Sequence, residues 1–296
     1  MPALFLVRYG ELALKSPPVR REFEQTLRRN ILEQFVAVGA TCRLRSDHGH
    51  FYVETDAVEP ANSLLGRVFG VTSYSLATEI ATDRAAITEG VVRLADPRLT
   101  PATSFAVRAR RTGTHPFTSQ ELARDLGGDI LERWPDRHLT VDLEHPAVEL
   151  FVEVRGPRTY LYTDRRRGPG GLPLGVAGRV VALVDGPRGA LGAYLMMKRG
   201  CRCALVQSGG EAVGPGRALG RFDPKAVVRP ALEDAEASLR SLADEVKADG
   251  IVLPLTVEEY PAARERWGER VIFSPTVGLT DEEVVGRWQG VEELAA

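Results

Sequence analysis

The hydrophobic pattern of the chain changes at Arg165-Arg166-Arg167-Gly168-Pro169-Gly170-Gly171, and that change limits what it can fold into more than any other feature. Beyond this basic, glycine-rich linker, short apolar runs at Val180–Val184, Cys203–Gln207, Ile251–Leu253 and Val271–Phe273 alternate with helical stretches at 188–199, 231–247 and 258–266. Strands separated by a helix cannot close as hairpins and need crossover connections, so the alternation predicts a parallel, doubly wound sheet. Residues 208–224, rich in Gly and Pro, read as a loop.

Before the linker the pattern is different. Leu4–Tyr9 reads as a strand, and Ser16-Pro17-Pro18 offers a cap and first-turn prolines to a helix. Val19, Phe23, Leu27, Ile31 and Phe35 recur every four residues before Gly39, which buries one face of that helix. Thr41–Arg45 and His50–Thr55 are strand-like around a turn at Asp47-His48-Gly49, so residues 1–70 read as a small α+β unit. In a second unit Val71–Leu76 alternates, Ile87, Val91 and Leu94 mark a helix, and Ser104–Arg110 places Phe105, Val107 and Ala109 opposite Arg108 and Arg110. Arg111 then begins a loop to Phe117. Thr118 and Glu121 have capping-box spacing ahead of Leu122, Leu126 and Ile130, and Trp134-Pro135 ends the helix. Leu139–Leu143, Val148–Arg155 and Thr159–Thr163 add three strands. The whole is a multidomain chain of α/β and α+β character.

Composition narrows the function classes. A length of 296 residues exceeds the usual span of one domain, and 44% apolar with 26% charged residues excludes a largely disordered chain. No apolar run approaches the ~20 residues that cross a bilayer, so no membrane partner and a cytoplasmic location are expected. Cys42, Cys201 and Cys203 are too few for a disulfide framework or a four-ligand zinc site. A net charge of −2 argues against a protein that coats nucleic acid. The balance is uneven, with 23 Lys+Arg against 22 Asp+Glu in residues 1–170 and 15 against 18 in residues 171–296.

The chemistry-bearing residues form no obvious catalytic set. Cys201 and Cys203 fall on one strand face, where cysteine behaves as a small buried hydrophobe rather than a persulfide carrier. His48-Gly49-His50 is a hairpin tip with too few ligands for a metal, and His115, His138 and His145 pair with no Ser or Cys nucleophile. No catalytic residue and no metal ligand is assigned. The basic clusters carry more: Lys15, Arg20 and Arg21; Arg108, Arg110 and Arg111; and Arg165, Arg166 and Arg167 are placed to neutralise phosphates, with Phe117 as a ring for stacking on an end base. A solvated charged face is the alternative reading of the same residues.

Arg8-Tyr9-Gly10-Glu11-Leu12-Ala13-Leu14-Lys15 resembles the opening of the tRNA 4-thiouridine synthetase (tRNA sulfurtransferase) family. Val68-Phe69-Gly70-Val71, Phe105–Arg111, Gly171-Leu172-Pro173-Leu174-Gly175 and Tyr194-Leu195-Met196-Met197-Lys198-Arg199-Gly200 continue the resemblance in order. It implies a ferredoxin-like domain at 1–70, a THUMP RNA-binding domain at 71–168, and a shortened Rossmann-like nucleotide domain of the adenine-nucleotide hydrolase type at 169–296. The first two would grip the acceptor end of tRNA, while the third, in that family, adenylates a uridine so that persulfide sulfur replaces its oxygen.

The resemblance breaks at the nucleotide loop. The family places Ser-Gly-Gly-x-Asp-Ser between the first strand and its helix, where small residues let backbone N–H groups approach phosphate. This chain has Val184-Asp185-Gly186-Pro187-Arg188-Gly189. Pro187 removes a donor, Asp185 adds negative charge, and Arg188 stands at the family's acidic position. The loop is a structural turn or an unorthodox anion site at Arg188. No cysteine follows Cys203, so the family's relay cysteine has no counterpart. The resemblance therefore implies a tRNA-binding protein of the thiolation machinery that needs no cofactor, with ATP and Mg used only if the altered loop is active. Two alternatives stay open: an active ATP-dependent sulfurtransferase, and a scaffold that binds a sulfur-donor or modification enzyme or a second copy of itself.

Overall fold

The computed structural model describes residues 2–10, 16–47, 49–209 and 213–296, with Val213 described by its backbone alone. Residues 11–14 of the opening motif, Lys15 and His48 lie outside the described residues. The chain divides into two compact units: Met1–Val7, His50–Asp56 and Tyr74–Arg166 form one, and Arg8–Gly49, Ala57–Ser73 and Arg167–Ala296 the other.

The first unit is built on strands β1 (Ala3–Tyr9, through Val7), β3 (His50–Thr55), β4 (Val71–Ala81, from Tyr74), β5 (Ser104–Thr112), β6 (Thr140–Val141), β7 (Val148–Arg155) and β8 (Arg158–Tyr162). Their order in the sheet is β3-β1-β4-β8-β7-β5-β6. Helices α3 (Arg84–Ala95) and α4 (Ser119–Arg133) cover one face. Ile87 and Val91 of α3 and Leu122, Leu126 and Ile130 of α4 bury against Phe105, Val107, Leu150, Val152 and Leu161. Each such side chain contributes about 1.5–3 kcal/mol, so these periodic positions fix which helix faces turn inward. Leu4, Leu6, Tyr52, Ala77, Tyr160 and Tyr162 form a separate cluster in the same unit. The α4 capping box is present, with Thr118 Oγ1 accepting from the Glu121 N–H at 3.1 Å and Glu121 Oε2 from the Thr118 N–H at 2.7 Å.

Three local expectations are corrected here. Strand β5 runs through Thr112, with Arg111 opposite Val154 and Thr112 opposite Arg155 of the parallel β7, so Arg111 is a strand residue and not the start of a loop. A charged run does not stop a strand while the neighbouring ladder continues. Leu139–Leu143 shrinks to the two residues of β6, because Asp142 Oδ1 turns the chain by accepting from the Glu144 and His145 N–H groups, each at 2.9 Å. Within the supposed linker, Arg166–Arg167 form the short strand β9.

In the second unit α1 (Pro17–Ala37) buries Leu27, Ile31 and Phe35 together with the polar Thr26, Asn30 and Gln34. Asn30 Nδ2 donates to the Leu174 carbonyl at 3.2 Å, and Gln34 Nε2 to those of Arg221 and Phe222 at 2.9 and 3.0 Å, so the buried amides are satisfied by backbone. The short strand β2 (Arg43–Asp47) and helix α2 (Val58–Leu65) also belong to this unit. The helix α2 has no periodic signature because only Ala61, Leu64 and Leu65 are buried.

The predicted doubly wound sheet is present, formed by β10 (Arg179–Val184), β11 (Arg202–Gln207), β12 (Val228–Pro230), β13 (Gly250–Val252) and β14 (Ile272–Phe273). All pairings are parallel, in the order β12-β11-β10-β13-β14. The chain winds outward from β10 to β12 and returns to β13, which puts the topological switch between β10 and β13. Helices α5 (Pro187–Lys198), α6 (Val213–Phe222) and α9 (Asp281–Ala295) pack in one cluster, and α7 (Ala235–Val246) and α8 (Tyr260–Trp267) in another.

The loop expected over 208–224 is instead helix α6 from Val213 to Phe222, burying Leu219 and Phe222. Its glycine answers to packing rather than turning. A Cβ on Gly216 would lie 1.6 Å from Gln207 Nε2, so glycine lets the helix approach β11.

Candidate functional site

The arginines of β5 separate into different roles. Arg108 donates from Nε to Glu149 Oε1 and from Nη2 to the Leu143 carbonyl, both at 2.8 Å, which clamps β5 to β7 and to the segment after β6. Two positions on, Arg110 is exposed and makes no hydrogen bond or ion pair among the described residues. Arg111 Nη1 donates to the Gly113 carbonyl at 2.9 Å, ordering the turn that follows. There Gly113 adopts φ 95°, a left-handed conformation that favours glycine.

That turn presents a pair of rings. Phe117 packs against the core of its unit, and His115 stacks on it with centroids 5.6 Å apart and ring planes 16° apart. His115 Nε2 donates to the Thr112 carbonyl at 3.1 Å. Phe117 is thus half-buried beneath another ring and not the open stacking face expected of it. His115 was assigned no role from sequence; the signal that could have found it was the His-x-Phe spacing after a strand of arginines.

Of the third basic cluster, Arg166 pairs with Asp164 at 3.0 Å, Arg165 is engaged in contacts of its own, and Arg167 is exposed. In the second unit Arg20 and Arg21 line a cavity of about 410 Å³ with Tyr9, Pro17, Glu24, Ser46 and Asp47. Glu24 Oε1 accepts from Tyr9 at 2.6 Å and from Arg20 at 3.0 Å. Burial, reinforced by the Glu24 carboxylate, pushes the Tyr9 phenol well above its ordinary range, so it stays a donor. Arg20 is therefore already paired, whereas Arg21 has no partner among the described residues.

The loop after β10 is the second candidate. Helix α5 begins at Pro187, and the extended Gly186 before it supplies no side-chain cap. A Cβ on Gly189 would lie 2.3 Å from the Leu183 carbonyl oxygen, so only glycine fits against the strand. Arg188 turns toward the segment after β14. Its Nη1 donates to the Thr276 carbonyl, and its Nη2 to the Leu279 carbonyl and Asp281 Oδ1, all at 2.8 Å. The guanidinium is thereby spent on the loop that leads into α9. Burial raises the pKa of the Asp185 carboxyl, which lies 2.9 Å from where a Gly189 Cβ would stand, although the residue as a whole is exposed.

The helix start lacks the Pro187 N–H, its one cation is already bound by three oxygens, and a carboxylate stands beside it. Among the described residues no group of three or more His, Cys, Asp or Glu is arranged to hold a metal ion. Cys201 Sγ donates to the Ala177 carbonyl at 3.2 Å and Cys203 Sγ to that of Ala193 at 3.5 Å. Burial raises both thiols above their ordinary value, so neither is a ready thiolate.

A larger cavity, about 560 Å³, opens at the opposite end of β10 and β11, lined by Arg29, Glu33, Arg179, Arg202, Asp223 and Lys225 among others. Its charges consume one another. Arg202 reaches Glu33 at 2.6 Å and Asp223 at 2.8 Å, and Lys225 reaches Glu33 at 2.9 Å. Burial pushes the Glu33 carboxyl up, but the bonds from Lys225 and Arg202 outweigh it and its pKa falls below the ordinary value. Asp223 goes the other way, because burial exceeds what Arg202 returns. Ligands of open α/β sheets bind at the carboxyl ends of the strands, so this network at the other end is structural. No helix among the described residues is long and apolar enough to cross a membrane.

Comparison with known proteins agrees with this architecture. Residues 4–75 match the ThiI ferredoxin-like domain and residues 81–164 the THUMP domain. The chain is 38% identical over 209 residues to a "Probable tRNA sulfurtransferase" of Methanothermobacter thermautotrophicus, covering 69% of this chain and 52% of the relative. It is 37% identical over 210 residues to a tRNA sulfurtransferase of Pyrobaculum aerophilum, covering 68% and 40%. The chain thus spans about half the length, or less, of these relatives. A crystal structure of a Pyrococcus horikoshii protein aligns with TM-score 0.83 at 26% identity over 98% of this chain and 99% of that one. A 4-thiouridine synthetase crystallised with RNA and bound ATP shares the fold, with TM-score 0.82 at 22% identity over 100% and 86%.

Proposed function

We propose a function from the premise that the chain belongs to the ThiI family: it binds tRNA and serves tRNA thiolation without adenylating tRNA itself. The observation that carries this reading is the engagement of Arg188 by Thr276, Leu279 and Asp281, which leaves the helix start after β10 with neither a free cation nor a full set of N–H donors. The THUMP match and the unpaired Arg110 support RNA as the ligand. In this reading the domains divide at 1–70, 71–168 and 169–296, the partner is the tRNA acceptor end, and a cytoplasmic sulfur-donor or modification enzyme supplies the chemistry.

Calorimetry with Mg-ATP and filter binding with tRNA test the two halves separately. The expected result is salt-sensitive tRNA binding without ATP binding, each neutralised phosphate contributing a log–log slope of about −0.7 to −0.9. Tight Mg-ATP binding with pyrophosphate released in the presence of tRNA would establish the active enzyme instead. No tRNA binding at low salt would overturn the RNA half.

A further inference from the structure

Arg29 in α1, Arg179 at the start of β10 and Lys225 after α6 are far apart in sequence, yet the second unit brings all three to one recess, the cavity of about 560 Å³ at the amino ends of β10 and β11. Its floor is closed electrically, because Arg202, 19% exposed, lies between Glu33 and the buried Asp223 at 2.6 and 2.8 Å. The rim is not. Four cations line the recess, Arg29, Arg179, Arg202 and Lys225, against the two carboxylates Glu33 and Asp223. The exposed Arg179 makes no ion pair among the described residues, and its Nη1 stands 3.5 Å from the Val246 carbonyl. Asp249 nearby accepts the backbone N–H of Arg179 at 2.8 Å and does not line the recess. Arg29 lies 4.0 Å from Glu33, a carboxylate that Arg202 and Lys225 already hold at 2.6 and 2.9 Å.

Two positive charges among the lining residues are therefore unmatched, at a concave site with apolar walls at Val227 and Val246. Such walls concentrate the field and draw an anion inward. We propose that the recess binds a small phosphate-class dianion through Arg29, Arg179 and Lys225, with the Arg202 network as the scaffold that ties α1 to the segment after α6 and so fixes their spacing. One dianion matches both charges. A phosphodiester group carries a single charge and would leave half of them unanswered, which favours a small ligand over a nucleic-acid backbone.

Calorimetry on the full chain at low ionic strength, with inorganic phosphate and then phenyl phosphate as titrants, tests the assignment. The native chain should bind both. Arg179→Gln and Arg29→Gln remove rim charges and keep the Arg202 network, and each should weaken phosphate by about tenfold, the loss expected of one charge-assisted hydrogen bond. Arg93→Gln, which removes an exposed cation of α3, should change nothing. Tighter binding of phenyl phosphate would identify the ligand as a phosphomonoester lying on the apolar wall, and equal binding as free phosphate. Absence of binding by the native chain, or undiminished binding by both folded rim variants, overturns the proposal. Displacement of phosphate by tRNA, with tRNA itself weakened in Arg179→Gln, would give the recess to an RNA backbone and overturn it as well.

Discussion

Arg188 decides between a structural turn and an anion site, and Arg188→Met tests it without opening a cavity. The guanidinium is 14% exposed, whereas its partner Asp281 is 94% exposed, so the ion pair itself contributes little. The two carbonyl contacts, to Thr276 and Leu279, are charge-assisted and partly buried. Hydrogen bonds of this kind contribute about 1.5–3 kcal/mol each, and methionine recovers part through apolar contact, so the variant should lose about 2–3 kcal/mol. For a chain of this size each kcal/mol moves Tm by about 2–4 °C, giving a fall of about 4–12 °C. The loss should be local first. Hydrogen exchange should accelerate at Val277 and Leu279, whose N–H groups bond to Ser274 and Thr276, and at the start of α9, before the central strands change. RNA binding should be unaffected. Unchanged stability together with a loss of phosphate or RNA binding would refute the structural assignment and restore Arg188 as an anion receptor.

Other outcomes follow from single contacts. Gly189→Ala should destabilise by about 3 kcal/mol or more in a chemical denaturation curve, because its Cβ meets backbone 2.3 Å away that cannot shift without parting α5 from β10; a neutral effect would show that the helix slides freely. Arg110→Ala should weaken every tRNA alike and flatten the log–log salt slope by about one contact, whereas a fall in Tm with unchanged affinity would make it a structural residue. Glu33 has a depressed folded pKa, so the stability it adds over Glu33→Gln is fully present above the unfolded carboxyl value of about 4.3 and is lost as pH falls through the folded value. A difference between the two proteins that stays constant from neutral pH into the acid would refute the Arg202–Glu33–Lys225 account. Thr276→Val should be neutral or stabilising by about 1 kcal/mol in thermal melts, since Thr276 Oγ1 is buried with no partner among the described residues.

The sequence by itself determined much of what depends on periodicity and near neighbours. Leu27, Ile31 and Phe35 marked the buried face of α1, the alternation after Gly171 marked a doubly wound sheet, and Thr118 with Glu121 marked a helix start, because each signal acts within a turn or two of backbone. That Pro187 supplies no N–H at the start of α5 was also legible, since a proline's missing donor needs no fold to be known. Tertiary structure alone decided what the polar groups do. Arg108 and Arg110 alternate identically in sequence, yet Glu149 and the Leu143 carbonyl from distant positions claim the first and leave the second free. Arg188 is read as a lone cation until Thr276 and Leu279, about ninety residues on, reach it. Glycines 214, 216 and 220 look like a loop until Gly216 is seen to let α6 approach Gln207. A side chain's partner is set by strand order and crossover, and a sequence read locally carries neither.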